Sequence, residues 1–374
     1  MRLYLFVVLV IQIHNFFLGY TNPKTKKHIF ANMENPILVQ IFRGGVLESF
    51  HRGSVCVVNA QNEIVFQLGN PQQICYPRSA LKLVQALPLV ELGGIEKFGL
   101  TIEEIAITCG SHNGEERHVK VVESILQKIG LNPSYLGCGM QYPTDKASSE
   151  TFIKTGTKPS AIHNNCSGKH AGMLALCVLL NYPTQDYLNK EHPIQKLILD
   201  YVVELYQYPS SKMVCALDGC TAPIYSMPLF NQALAFKNLA DPILFRESLQ
   251  KACKQILEAM SLAPFMVAGT GRYCTEMMEI TTPKVIGKTG AEGVFCMSFT
   301  EQKLGVCIKI DDGKMLPQYQ VAQALLEASK LFTTEQLTPI HAYAHKELKN
   351  FNKLVTGESI VDKQLFSSFA NLFN

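Results

Sequence analysis

The chain has 374 residues, 47% hydrophobic and 17% charged, the make-up of an ordinary globular protein long enough for one large domain or two moderate ones. Its net charge of +3 comes from residues 1–32, where Arg2, Lys24, Lys26 and Lys27 meet no acid; the rest carries 30 basic and 31 acidic residues, a balance of −1. That near-neutral body has no arginine-rich or aromatic-interleaved patch, which excludes a nucleic-acid partner and leaves a small-molecule substrate as the better expectation.

The N-terminal run MRLYLFVVLVIQI resembles a signal-peptide core behind one arginine. It is too short to cross a bilayer, so no stable membrane span is expected. FLGYTNP lacks a small-x-small cleavage pattern, and the basic KTKK that follows disfavours export of that flank. The expectation is therefore an upstream extension or misplaced start over residues 1–32, then a single catalytic domain over 33–374 in the cytoplasm. Export is the alternative if residues 1–20 act as a signal peptide. Twelve cysteines lie scattered in apolar stretches such as SVCVVN, LALCVLL and GVCIKI, with no C-x-x-C. They read as reduced, buried thiols rather than a disulfide framework.

Along the chain, ILVQIF, VLESFH, SVCVVN and EIVFQL predict short strands over 37–67, punctuated by Gly44, Gly53 and Asn59–Asn62. SALKLVQALPLVEL predicts a helix from Ser79. Another is expected from about Glu115 to Lys128, with Val119, Val122, Leu126 and Ile129 on one face and Gly130 as its stop. The next opens at Ser167, which would cap it. Residues 195–207, 228–238 and 243–260 also read as helical. Strands return at 293–299 and 304–310, and a helix follows near 317–331. Both ends of the sequence thus supply a sheet and the middle supplies helices. The fold class expected is α/β, a mixed sheet flanked by helices.

Four stretches carry reactive chemistry. In YPRSALK, Ser79 and Lys82 share a helix face at i, i+3. A lysine becomes a base only if burial or a second cation removes its proton; the plain alternative is a capping serine and a solvated lysine. In VIGKTGAEGVF, Lys288-Thr289-Gly290 precedes a predicted strand; the glycine a P-loop needs is Thr282 instead. S-x-x-K early and K-T-G late is the ordered pair of serine β-lactamases and penicillin-binding proteins. TCGSHNGE offers Ser111 on a glycine-flanked turn, or as a helix cap. HNNCSGKH with DGCTAP sets Cys166 and Cys220 in polar loops, where they and nearby Lys169, His163 or His170 could bind zinc or remain ordinary buried cysteines.

Taken in order, YPRSALK, CGSHNGE, HNNCSGKH, LDGCTAPIYSMPL, GTGRYCTE and KTGAEGVF resemble the L-asparaginase family of the Rhizobium etli type, the thermolabile, zinc-binding class, over about residues 35–362. The resemblance implies the α/β architecture of serine β-lactamases and glutaminases, a homodimer, and hydrolysis of L-asparagine to L-aspartate and ammonia. It implies two serine–lysine pairs, Ser79 with Lys82 and Ser111 with Lys288, with Ser79 as nucleophile. It further implies zinc on Cys166, Lys169 and Cys220, with His170 and Asp218 facing the substrate. Asn113 departs from the pattern, at a place where a smaller, serine-like residue is expected. The rivals are another serine–lysine amidohydrolase, such as a glutaminase or a β-lactam-reactive enzyme, and a non-catalytic zinc-binding protein.

Overall fold

The N-terminal hairpin pairs β1 (Ile37–Arg43) with β2 (Val46–Val58). VLESFH and SVCVVN, expected as two strands broken at Gly53, form one strand. Gly53 is there for close approach: a Cβ would collide with the Lys309 carbonyl of the neighbouring strand. The computed structural model describes residues 34–373. The described residues from Asn35 onward form one compact unit. The expectations for residues 1–32 lie outside the described residues.

The strands β3 (Ile64–Leu68), β4 (Ile74–Cys75), β5 (Cys215–Leu217), β6 (Pro223–Tyr225), β7 (Met227–Pro228), β8 (Val285–Thr289), β9 (Val294–Phe299), β10 (Leu304–Ile310), β11 (His345–Lys349) and β12 (Val355–Val361) complete the set. The main sheet runs β11-β12-β1-β2-β10-β9-β8, with β3 on β2, and its pairs are antiparallel. The pairs β4–β7 and β5–β6 stand apart. Residues along β8, β9 and β10 are buried on both faces, apart from half-buried Lys309, as in a sheet covered by helices. The sheet does come from the two ends of the sequence, and the fold is α/β with a helix-flanked sheet.

The helices that frame the site are α1 (Lys82–Glu91), α2 (Ile102–Thr108), α3 (Glu116–Lys128), α4 (Ser167–Leu179), α5 (Pro193–Tyr206), α6 (Leu229–Ala240), α7 (Glu247–Leu262), α8 (Tyr273–Thr281) and α9 (Met315–Ser329). A 3-10 turn, Arg78–Leu81, leads into α1. Apart from its last residue α1 is buried all round, which fits a helix packed against α4, α5 and α7 rather than facing water. Gly130, in left-handed backbone at φ +73, ends the turn after α3. Helix α6 lies on β2, β9 and β10; α9 packs on β1, β9, β10 and β12.

One local expectation is extended and one changes. Lys288-Thr289-Gly290 precedes a strand as expected, β9, with Gly290 opening the turn into it, and Lys288 and Thr289 also end a strand that was not expected, β8. Gly287 in mid-strand hides the β pattern of VIGKT, and it is needed because a Cβ would strike Met277 and Phe295. Ser167 does not cap α4. Cys166 occupies the cap position, and the Ser167 hydroxyl donates instead to the Ile162 carbonyl at 2.8 Å.

Candidate active site

Three of the four expected catalytic residues meet in one buried cluster. Ser111 stands on the loop after α2, its N–H donating to the Val267 carbonyl at 2.8 Å. Lys82, from the first turn of α1, donates to the Gly110 carbonyl at 2.5 Å and lies 2.9 Å from Ser111 Oγ. Lys288, from β8, lies 2.9 Å from the same Oγ and donates to the Thr289 carbonyl at 2.9 Å. Both lysines are 1% exposed. Burial, with the Lys82 charge beside it, pushes the Lys288 amine down to about 7, so a neutral amine is accessible near neutral pH.

Ser79 makes no side-chain hydrogen bond to that cluster. It lies one residue into the 3-10 turn that leads to Lys82, half-buried, and no hydrogen bond joins its hydroxyl to the Lys82 amine. The two pairs implied by the resemblance are thus joined differently here: one hydroxyl, Ser111, is shared by both lysines. The residue before Ser79, Arg78, has left-handed backbone at φ +51. Its guanidinium reaches Asp218 Oδ1 from Nε at 2.9 Å and from Nη2 at 2.8 Å. Asp218 is held below the usual carboxylate range by Lys169 and Arg78, against the opposing effect of burial.

A second cluster surrounds Cys166, Lys169, His170 and Cys220. Lys169 Nζ donates to Cys220 Sγ at 2.9 Å. A hydrogen bond from the Cys220 thiol favours the Cys166 thiolate and holds it well below the usual thiol range. Burial keeps His170 neutral, down to about 4. The hydroxyl of Tyr187 lies 2.6 Å from His170 Nδ1 and accepts the Gly137 N–H at 2.8 Å. His170 Nε2 is buried and faces Cys220, without a hydrogen bond of full geometry. Among the described residues no three His, Cys, Asp or Glu side chains form a metal-holding group. With the Lys169 amine counted, two sulfurs and one amine converge. That donor set fits a borderline metal such as zinc.

The TCGSHNGE loop links the clusters. The His112 N–H donates to the Asn165 carbonyl at 3.2 Å. The Gly114 N–H donates to His112 Nδ1 at 3.1 Å, so Nε2 carries the ring proton and donates to Ser167 Oγ at 3.0 Å. The departure at Asn113 is filled: its Nδ2 donates to Glu115 and to the Thr270 carbonyl, while its Oδ1 accepts from Thr144 and Arg272. Arg78, Tyr187 and Arg272 were not expected at the site. Arg78 and Arg272 each carried a signal, lying in YPRSALK and GTGRYCTE, and Tyr187 carried none.

A serine hydroxyl shared by two buried lysines, beside a second serine at a helix start, defines a serine–lysine hydrolase class of site. The chain matches the L-asparaginase II family over residues 39–361 and belongs to it, which makes it an amidohydrolase. No curated protein matches the chain. Among solved structures, one from Bacteroides dorei provisionally described as a β-lactamase has TM-score 0.38 at 12% identity, covering 69% of this chain and 84% of that one. A β-lactamase from Mycobacterium bovis has TM-score 0.36 at 10% identity, covering 74% of this chain and 94% of that one.

Proposed function

We propose that the protein hydrolyses L-asparagine to L-aspartate and ammonia through an acyl-enzyme on Ser79. The observation that carries this reading is the Lys82–Ser111–Lys288 relay, with both amines 2.9 Å from one hydroxyl. When Lys288 is neutral the two amines share one proton across Ser111, and the form that carries it on Lys288 frees Lys82 to act as base. Lys82, left neutral, accepts the proton of Ser79 as its Oγ attacks the side-chain amide carbon. The Ala80 N–H is committed to the Pro77 carbonyl, so the oxyanion draws on the Ser79 N–H; one such donor typically contributes a few kcal/mol. The C–N bond breaks, the proton returns to the leaving nitrogen, and ammonia departs. Water then attacks the ester, giving aspartate and free Ser79.

Zinc on Cys166, Lys169 and Cys220 belongs to this proposal. It would supply a fixed positive charge that holds the two loops together. His170 and Asp218 line the same region. Among the described residues no helix is long and apolar enough to cross a membrane. All twelve cysteines are free and eleven are buried, which suits the cytoplasm, and a homodimer is part of the same reading.

The test is ammonia release from L-asparagine by the full chain and by Ser79→Ala. Turnover by the parent and none by a folded variant supports the reading; equal turnover overturns it. A second reading makes Ser111 the nucleophile, because it is the hydroxyl the lysines touch. Mass-spectrometric mapping of a trapped acyl-enzyme separates the two serines. Glutamine and a chromogenic β-lactam, assayed alongside, separate the rival substrates.

A further inference from the structure

The backbone directly before Ser79 is strained. Arg78 holds φ +51, a conformation that costs a residue with a Cβ about 1–2 kcal/mol and glycine little. Such strain persists only where the surroundings impose it. Two neighbours do so here. On one side the K-T-G turn presses against the preceding residue: a Cβ on Gly290 would lie 2.5 Å from the Pro77 carbonyl. On the other side the Arg78 guanidinium is anchored on Asp218 Oδ1 by two nitrogens, the side chains being 22% and 9% exposed. Asp218 is itself rigid. Its N–H donates to the Ala222 carbonyl and its own carbonyl accepts the Thr221 N–H, both at 2.9 Å, closing the loop that carries Cys220. Glu292, the other acid near Arg78, is 3.7 Å away and largely exposed.

We propose that the Arg78–Asp218 ion pair is a clamp that keeps the turn before Ser79 in its left-handed conformation and so aims the Ser79 hydroxyl. Asp218 then acts through Arg78 as a positioning residue rather than as a direct partner of the substrate. The clamp also ties the nucleophile turn to the Cys220 loop. This inference rests on Ser79 being the nucleophile.

The experiment measures kcat and KM for L-asparagine in the full-length parent, Arg78→Ala, Arg78→Gly, Asp218→Asn and the double variant Arg78→Gly with Asp218→Asn. Glycine accepts the left-handed φ without the clamp; alanine does not. Arg78→Ala should therefore fall below Arg78→Gly in kcat by about tenfold, with KM near that of the parent. Asp218→Asn should lower kcat in the parent and add little on the Arg78→Gly background, as residues acting as one unit do. Equal loss in the alanine and glycine variants, with a raised KM, would overturn the clamp and make these charges substrate contacts. If Arg78→Ala does not fold, Arg78→Asn against Arg78→Gln makes the same comparison, since asparagine tolerates left-handed backbone. Ser79→Ala runs beside them. If it still turns over, the nucleophile assignment falls; if it is dead while alanine and glycine at 78 are alike, only the clamp falls.

Discussion

Lys288 Nζ and Ser111 Oγ stand 2.9 Å apart although the residues are 177 positions apart in sequence, and Lys82 Nζ lies 2.9 Å from the same oxygen. One hydroxyl between two buried amines makes a proton path. Ser111→Ala cuts it without touching Ser79. We expect kcat for L-asparagine to fall about 100-fold to 10,000-fold, the usual contribution of positioned proton transfer, with KM little changed. Steady-state ammonia release decides this. A kcat close to the parent's removes Ser111 from the path.

The Lys288 amine sets a pH dependence in two quantities. Pushed down to about 7 by burial and the Lys82 charge, it accepts a proton only above that pH, so kcat should rise through about pH 7. Stability follows the same shift. Between about 7 and the ordinary lysine value of 10.5 the unfolded chain holds a proton that the folded chain lacks, so stability rises with pH across that window. The cost of burying Lys288 is therefore full below about 7 and gone above 10.5. Lys288→Met removes it. The variant should be inactive, and its gain in melting temperature over the parent should be largest at or below pH 7 and shrink as the pH is raised. A difference that is flat with pH defeats this account.

Much of this was legible in sequence, for a physical reason. Alternating and all-apolar runs revealed β1, β2, β3, β9 and β10, and helical periodicity revealed α3 and α4. Gly53 and Gly287 misled because each sits inside a strand for close approach rather than at a break. β11 escaped because HKELK is a charged, mostly exposed edge strand with no apolar face, and β12 because Gly357, Glu358 and Ser359 interrupt VTGESIV in mid-strand. At the site, the motifs made Ser79, Lys82 and Lys288 candidates and the family resemblance paired Ser111 with Lys288, but neither could show that Lys82 reaches Ser111. That contact depends on where α1, β8 and the loop after α2 meet. Tyr187 lies in a loop with no motif, and only its hydroxyl's position gives it a role.

The sulfur cluster predicts metal binding that activity alone need not reveal. Cys166 and Cys220, with Lys169 donating to Cys220 at 2.9 Å, should take up zinc with release of protons from Lys169 and the thiols. Elemental analysis of protein incubated anaerobically with zinc should show one ion per chain, and a higher melting temperature. Cys166→Ser and Cys220→Ser should each lose both effects. No uptake by the parent would end the zinc reading while leaving the serine chemistry to stand by itself.

Tyr187 supplies the sharpest test of how His170 is held. Its hydroxyl accepts the Gly137 N–H at 2.8 Å and sits 2.6 Å from His170 Nδ1. With its oxygen taking that N–H, the hydroxyl proton is directed to Nδ1, which leaves the His170 ring proton on Nε2, the nitrogen beside Cys220. Tyr187→Phe keeps the ring packing and strands both partners in a buried place. An unsatisfied buried polar group costs about 1–3 kcal/mol, so urea unfolding should show a loss in that range or somewhat above it. Nitrogen-15 spectra of His170 should show the Nε2–H tautomer in the parent and a shift away from it in the variant. A stable variant with an unchanged His170 spectrum would mean that Tyr187 does not set the ring. The ring's Nε2 would then owe its orientation to packing within α4 alone.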